Sequence, residues 1–311
     1  MQNERQEWLP LLPLFAIWLG AVLLVNPFGD FPLNDDFSYG KSVRNLAVDD
    51  KFLLDKWLAQ TLAAQVFWGA AFCKAFGFSF TVLRFSTLLL GFAGVAASYF
   101  LCRELGQGRR LALLFALTVA FNPLFFSLSF TFMTDVPFFT FSILSTLFFI
   151  KALRSNSALG TPNSVLFWGA FFALAATFVR QIGLMLPVAF AVTWLCLRGF
   201  RWKSFPLAML PATVIFAAFF GYNHWLEQGQ GLPPGYGNFT RLARTFDDTG
   251  IFSRILPRTG ILLAYLGAFF LPVSLVLAVG SNLSESFKLS ERWATFKKNG
   301  LKKKHLPAAA V

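Results

Sequence analysis

The sequence is dominated by apolar stretches that are long enough to cross a lipid bilayer. Between Leu111 and Ile150, the only charged residue is Asp135. An α-helix rises about 1.5 Å per residue, so roughly 20 apolar residues cross the hydrocarbon core. Hydrophobic residues make up 56% of the 311 positions and charged residues only 14%, which is typical of polytopic membrane proteins and not of soluble ones. The sequence therefore predicts an all-α, polytopic membrane helical bundle.

About eight membrane spans are expected from these stretches. They are predicted at about 9–27, 82–102, 111–128, 135–151, 164–180, 183–197, 205–223 and 260–280. The stretch 58–80 is also apolar, but a crossing there would move the arginines of 103–110 to the other side, so we expect interfacial helices in this first outer loop. Residues 1–280 are thus predicted to form one membrane-embedded domain, and 281–311 a basic cytoplasmic tail.

The basic residues indicate how the bundle is oriented. Eight Lys and Arg residues lie in the predicted short loops 103–110, 151–163 and 198–203, and the positive-inside rule places these loops in the cytoplasm. Under this topology, all nine aspartates of the chain face the outer side. We therefore attribute the net charge of +12 to topology and to contacts with anionic membrane lipids, and expect no nucleic-acid partner.

Charged side chains at the outer ends of the predicted spans form a candidate site. Asp35 and Asp36 directly follow the first span, and Arg84, Asp135 and Arg180 each lie at the edge of another span. A carboxylate at this depth can act as a general base. A guanidinium can bind a phosphate and stabilise the negative charge of a leaving group. The combination suits sugar transfer from a lipid-linked phosphate, in a single displacement with inversion.

Simpler interpretations of the same residues remain open. The aspartate pair fits a solvated turn, Arg84 and Arg180 fit side chains that reach the interface without binding a ligand, and Asp135 fits a helix cap. Two other functions also remain open: a transporter or lipid flippase, and a non-catalytic scaffold subunit of a glycan-assembly complex. A transporter would place ionisable residues near the bilayer midplane, whereas the acids here cluster at one face.

Three motifs resemble the GT-C type integral-membrane glycosyltransferases. They are Asp35-Asp36 followed by Tyr39, the aromatic stretch 76–84 that ends in Arg84, and Thr134-Asp135-Val136-Pro137-Phe138. The chain is most similar to the group that contains the protein O-mannosyltransferases and the aminoarabinose transferases of lipid A, which is glycosyltransferase family 39-like. The resemblance covers about 9–197.

The resemblance implies a hexosyltransferase, similar to a mannosyltransferase, that uses a polyprenyl-phosphate sugar on the non-cytoplasmic face. The acceptor would be a lipid, a glycan or a protein, and the sequence does not decide among them. Asp35 would be the catalytic base, and Asp135 would assist it or position the acceptor. Arg84 and Arg180 would bind the carrier phosphate. The protein would lie in the plasma (inner) membrane of a cell envelope, with its active site facing the outside or the periplasm.

The resemblance leaves the roles of Asp36 and Tyr39 open among acceptor support, metal binding and structural support. No cofactor is assigned, and a divalent metal remains an open alternative because metal dependence differs within the superfamily. Members of the group often extend further than this chain. We therefore expect the part that recognises the acceptor to be absent, reduced or supplied by a partner.

Overall fold

The described part of the chain is an all-α membrane protein. The structure is a computed structural model that describes residues 8–154, 163–199, 202, 205–234, 259–261 and 263–264. Every regular element among these residues is helical. In chain order they are α1 (Leu11–Val25), α2 (Asp36–Ala47), α3 (Ala63–Phe76), α4 (Phe80–Glu104), α5 (Arg109–Ala120), α6 (Pro123–Ser129), α7 (Asp135–Arg154), α8 (Asn163–Val179), a 3₁₀ turn (Gln181–Leu184), α9 (Met185–Arg198) and α10 (Phe205–Gly229).

Within the described residues, four helical stretches are long and apolar enough to cross a membrane. They are α4, α7, the 3₁₀ turn together with α9, and α10. The pair α5 and α6, bent by 62°, makes a fifth if it is counted as one span, and α1 and α8 are shorter apolar helices. The predicted all-α polytopic fold is confirmed. Helices occupy the first seven predicted spans, whereas most of the eighth, 260–280, and the predicted tail 281–311 lie outside the described residues.

Helix α4 packs closely against α1 and α7 through glycine. Gly91 faces the indole of Trp18, and a Cβ on Gly94 would lie 2.5 Å from Oγ1 of Thr140. The Thr140 hydroxyl donates a hydrogen bond to the carbonyl of Leu90 at 2.9 Å. Small residues allow such close approach of helices within membranes. The contact fixes the middle of α4 against the N-terminal part of α7.

Helices α2 and α3 form a short pair between α1 and α4. They have 12 and 14 residues, fewer than the roughly 20 that cross a bilayer. Val43 of α2, Val66 of α3 and Leu58 of the segment between them are buried in one cluster with Phe132. A Cβ on Gly69 would lie 2.6 Å from the Phe132 ring, so α3 lies directly on the turn that precedes α7. Helices expected in the first loop are therefore present, and they bring this loop to the start of α7.

The chain divides into two units, 1–239 and 240–311. All the helices named above lie in the first unit. Of the second unit, the structure describes only the helical residues 259–261 and 263–264. The predicted boundary between 280 and 281 therefore falls outside the described residues.

Candidate active site

Arg84 anchors the loop that leads from α1 to the acidic pair. It is only 4% exposed. Its Nε donates to the carbonyl of Phe130 at 2.7 Å, its Nη1 to those of Pro27 and Gly29 at 2.7 and 3.2 Å, and its Nη2 to that of Phe31 at 3.2 Å. Buried carbonyl groups need such donors. Because all three guanidinium nitrogens bind backbone, the geometry favours a positioning role for Arg84 over the predicted contact with the carrier phosphate.

The same loop is attached to the N-terminus of α4. Oδ1 of Asp30 accepts a hydrogen bond from the amide of Phe80 at 2.7 Å. Oγ of Ser79 accepts one from the amide of Val82 at 3.1 Å. Both bonds satisfy amide groups that the first turn of a helix leaves without intrahelical partners. The residues that precede the acidic pair are therefore held on a membrane helix.

Asp36 is buried and holds the turn before α7. It is 2% exposed, and its Oδ2 accepts a hydrogen bond from the amide of Phe132 at 3.3 Å. Gln65 donates to the carbonyl of the same residue at 2.7 Å. Burial raises the pKa of Asp36 above its usual range, against the hydrogen bond from Phe132 and the charge of Arg84. Of the roles left open for Asp36, this geometry fits structural support.

Asp35 lies at the start of α2 and is exposed. Asn34 before it has a φ of 61°, in the left-handed region that asparagine tolerates. The Asp35 carboxylate makes no hydrogen bond or ion pair with any described residue. It lines a cavity of about 530 Å³. The other lining residues are Phe37, Ser38, Tyr39, Trp57, Ala59 and Gln60. A free carboxylate in a cavity wall can take a proton from a bound molecule.

Several charged side chains of the site lie close enough to the Tyr39 phenol to act on its pKa. Tyr39 is 4% exposed, and burial raises its pKa. The negative charges of Asp35 and Asp135 act on this pKa in the same direction. The positive charge of Arg180 and a hydrogen bond with Thr134 oppose them. The structure thus brings Asp35, Asp135 and Arg180 within electrostatic range of one phenol.

Arg180 connects the end of α8 to the start of α7. Its Nε donates to Oγ1 of Thr134 at 2.7 Å, and its Nη2 pairs with Oδ2 of Asp135 at 2.9 Å. Its side chain is 29% exposed, and no described residue bonds its Nη1, so donors remain for an anionic ligand. The chain can turn here because residue 183 is glycine. A Cβ on Gly183 would collide with the backbone of Thr177.

The segment 59–62, whose first two residues line the cavity, is fixed to the rest of the bundle. Oε1 of Gln60 accepts a hydrogen bond from the Tyr39 phenol at 3.4 Å. Gln181 donates to the carbonyl of Ala59 at 2.9 Å. The hydroxyl of Thr61 donates to a carbonyl in α8 at 2.6 Å. These bonds tie the cavity wall to α2 and to the helix end that carries Arg180.

Asp55 is a buried carboxylate whose role the sequence analysis missed. It is 6% exposed. Oδ1 accepts hydrogen bonds from Ser38 at 2.9 Å and from the amide of Trp57 at 3.1 Å, and Oδ2 pairs with Lys41 at 2.8 Å. Burial opposes ionisation, but the bonds from Lys41, Trp57 and Ser38 outweigh it and hold the pKa of Asp55 below its usual range. The sequence did carry a signal for this role: Asp55 follows Leu54 in an apolar segment that does not span the membrane. A charge buried in such a segment requires partners.

The two adjacent carboxylates of the acidic pair have different surroundings. Asp35 is exposed to the cavity, whereas Asp36 is buried against the turn before α7. Among the described residues, no group of three or more His, Cys, Asp or Glu side chains is arranged to hold a metal ion.

Comparison with known proteins provides a family match. The family model described as dolichyl-phosphate-mannose-protein mannosyltransferase matches residues 65–225, just over half of the chain. The matched region includes Arg84, Asp135 and Arg180, but neither the acidic pair 35–36 nor Tyr39. No curated protein and no solved structure shows significant similarity to the chain.

Proposed function

The chain belongs to the dolichyl-phosphate-mannose-protein mannosyltransferase family, and on this premise we propose that it transfers a sugar from a polyprenyl-phosphate carrier to an acceptor on the non-cytoplasmic face of the membrane. Family membership and the apolar helices make it a membrane glycosyltransferase. The family supports the choice of carrier. The distribution of Lys and Arg between the loops supports an orientation in which the site faces away from the cytoplasm. The plasma (inner) membrane is the proposed location.

The observation that carries the mechanism is the free carboxylate of Asp35 in the cavity wall. The neighbouring acids are engaged elsewhere. Asp36 is buried and bonded to backbone, Asp55 is buried and paired with a lysine, and Asp135 is paired with an arginine. Asp35 is therefore the carboxylate among these four that is available to take a proton from an acceptor.

The reaction is a single displacement at the anomeric carbon of the sugar. An acceptor hydroxyl oxygen forms the new bond to this carbon while Asp35 takes its proton. The bond between the anomeric carbon and the phosphate oxygen breaks, and its electron pair leaves with the phosphate. Attack from the side opposite the leaving group inverts the configuration.

Arg180 is the cation assigned to the carrier phosphate. Its Nη1 donors have no described partner, and Asp135 and Thr134 hold the rest of the guanidinium in place. Charge-assisted hydrogen bonds from Nη1 would stabilise the negative charge that develops on the leaving phosphate. Arg84, whose nitrogens bind backbone carbonyls, is given a positioning role.

Release of free polyprenyl phosphate tests this proposal. The purified protein in lipid nanodiscs is given a panel of polyprenyl-phosphate sugars, mannose first, together with membrane-extracted acceptors. We expect wild type to release the carrier and Asp35→Asn to do so about 10²- to 10⁴-fold more slowly, the usual contribution of a general base. Asp49→Asn is the matched control, because Asp49 is an exposed aspartate in the turn after α2 and does not line the cavity.

The proposal is contradicted if folded, lipid-bound wild type releases carrier from none of the donors. The transporter and scaffold interpretations of the sequence would then be favoured. Equal loss of activity in Asp35→Asn and Asp49→Asn would leave the transferase function in place but remove Asp35 as the base.

A further inference from the structure

The cavity beside Asp35 has an aromatic wall that the transfer mechanism does not use. Three of its lining residues are aromatic: Phe37, Tyr39 and Trp57. Phe37 is 46% exposed and Trp57 is 83% exposed, so both rings are accessible to a ligand. Binding pockets combine such apolar surface with a few placed polar groups. This wall bears on the identity of the acceptor, and an inference about the acceptor rests on the proposed transferase function.

The backbone of Trp57 is held in place although its side chain is exposed. Its amide donates to Oδ1 of Asp55 at 3.1 Å. Asp55 is buried and is itself held by Ser38 of α2 and by the charge of Lys41. The indole therefore extends from a fixed point next to Asp35. Because the backbone is held, only the two side-chain torsions of the indole are ordered when a ligand binds, which limits the entropy cost.

Four lining side chains are polar, and the hydroxyls of Ser38 and Tyr39 already donate to Asp55 and Gln60. Asp35 and Gln60 provide one acceptor and one donor for a ligand. The Asp35 carboxylate accepts hydrogen bonds. Oε1 of Gln60 already accepts bonds from the Tyr39 phenol and the Ala59 amide, while no described residue bonds its Nε2, which remains free to donate. None of the lining residues is a lysine or an arginine. The nearby Lys41 is neutralised by its ion pair with Asp55.

We propose that the acceptor is an uncharged carbohydrate whose ring packs against Trp57 while its hydroxyls bond Asp35 and Gln60. The C–H bonds on one face of a sugar ring carry partial positive charge and suit the electron-rich face of an indole. The cavity volume of about 530 Å³ is in the range of small-molecule sites. Because Arg180 is engaged by the carrier phosphate, a phosphorylated acceptor would meet the negative charge of Asp35 with no cation in the cavity lining to offset it. A serine or threonine of a peptide has no ring face to place on Trp57.

Binding measured without any donor tests the inference separately from the transfer reaction. The probes are methyl α-mannopyranoside, methyl α-glucopyranoside and the methyl glycoside of N-acetylglucosamine, with saturation-transfer NMR on the full-length protein in nanodiscs. We expect Trp57→Ala to weaken binding about fivefold, from the loss of an aromatic contact, and Trp57→Phe to retain part of it. Trp202→Ala is the matched control, because Trp202 is 81% exposed and follows the opposite end of α9 from Arg180.

Transfer to three acceptors completes the test: the best-binding methyl glycoside, a serine- and threonine-containing peptide, and a phosphorylated glycolipid. The inference is supported if the sugar is transferred to the glycoside and if Trp57→Ala raises the KM for this acceptor whereas Trp202→Ala does not. Any of three results overturns it: no glycoside binds, the two tryptophan variants have equal effects, or the sugar is transferred only to the peptide or to the phosphorylated glycolipid. Glycoside binding that depends on Trp57 without donor turnover supports the acceptor site and contradicts the proposed transfer. Equal melting temperatures of wild type and the tryptophan variants exclude misfolding as the cause of a change in binding or in KM.

Discussion

Replacing Thr134 with valine removes one hydroxyl from a junction of the site and keeps the shape of the side chain. Thr134 is fully buried. Its Oγ1 accepts the hydrogen bond from Nε of Arg180 at 2.7 Å, and it also bonds the Tyr39 phenol. Without the hydroxyl, the guanidinium keeps only its ion pair with Asp135 among these contacts. We therefore expect Thr134→Val to bind and stabilise the carrier phosphate less well.

The size of the effect depends on the kind of bond that is lost. A hydrogen bond to a charged group contributes about 1.5–3 kcal/mol. The Arg180 side chain is 29% exposed, so water replaces part of the lost interaction and the lower value applies. About 1.5 kcal/mol corresponds to roughly a tenfold loss of kcat/KM for the polyprenyl-phosphate donor.

The assay compares kcat/KM for the donor in Thr134→Val, Thr134→Ser and Thr140→Val. Serine keeps the hydroxyl and is expected to retain most activity. Thr140 is a buried threonine of α7, the helix that Thr134 precedes, and its hydroxyl bonds a backbone carbonyl away from Arg180, so Thr140→Val should keep the wild-type kcat/KM for the donor. Two results would show that the Thr134 hydroxyl does not position Arg180 for the donor. One is a wild-type kcat/KM in Thr134→Val, and the other is a loss in Thr134→Ser as large as that in Thr134→Val.

A comparison of Arg84 with Arg180 separates a residue that holds the site from one that binds the donor, and a second comparison tests the buried ion pair of Asp55. Arg84→Lys should lower the melting temperature by several degrees, because a lysine cannot replace charged guanidinium bonds to four backbone carbonyls that each contribute about 1.5 kcal/mol or more. Arg180→Lys should instead leave the melting temperature near wild type and lower kcat/KM for the donor, and the reverse pattern would exchange the two roles. Asp55→Asn should destabilise the protein at pH 7 more than Asp50→Asn, which removes an ion pair whose acid is 78% exposed. Because the folded-state pKa of Asp55 is depressed, its stabilisation is complete above the unfolded value of about 3.9 and is lost as pH falls through the folded value. The difference in melting temperature between wild type and Asp55→Asn should therefore begin to shrink below about pH 4 and disappear only below the folded-state pKa of Asp55. A constant difference at all pH values would contradict the assignment.

The positions of the membrane helices could be predicted because long apolar stretches have few alternatives to crossing. The stretch 111–150 was expected to hold two spans, at 111–128 and 135–151, and therefore one turn between them. The structure has that turn and also a break at Asn122 and Pro123, where the asparagine side chain caps α6 and the proline occupies its first turn. The resulting bend of 62° could not be predicted, because the angle depends on how α5 and α6 pack against their neighbours.

Side-chain partners were less predictable than helix positions. Arg84 and Arg180 look alike in the sequence, since each lies at the edge of an apolar span. What distinguishes them is the number of backbone carbonyls nearby, and this depends on the path of the loop after α1. The bond from Arg180 to Thr134 joins residues 46 positions apart, and hydropathy carries no information about such a pair.

The strongest test of Asp35 as the general base is the single-turnover rate of Asp35→Asn, measured together with its affinity for the donor. Asp35 is exposed and has no described partner, so its replacement should change neither the melting temperature nor donor affinity. We expect unchanged donor binding and a transfer step that is about 10²- to 10⁴-fold slower than in wild type. A single-turnover rate equal to that of Asp49→Asn would contradict this mechanism and remove Asp35 as the general base.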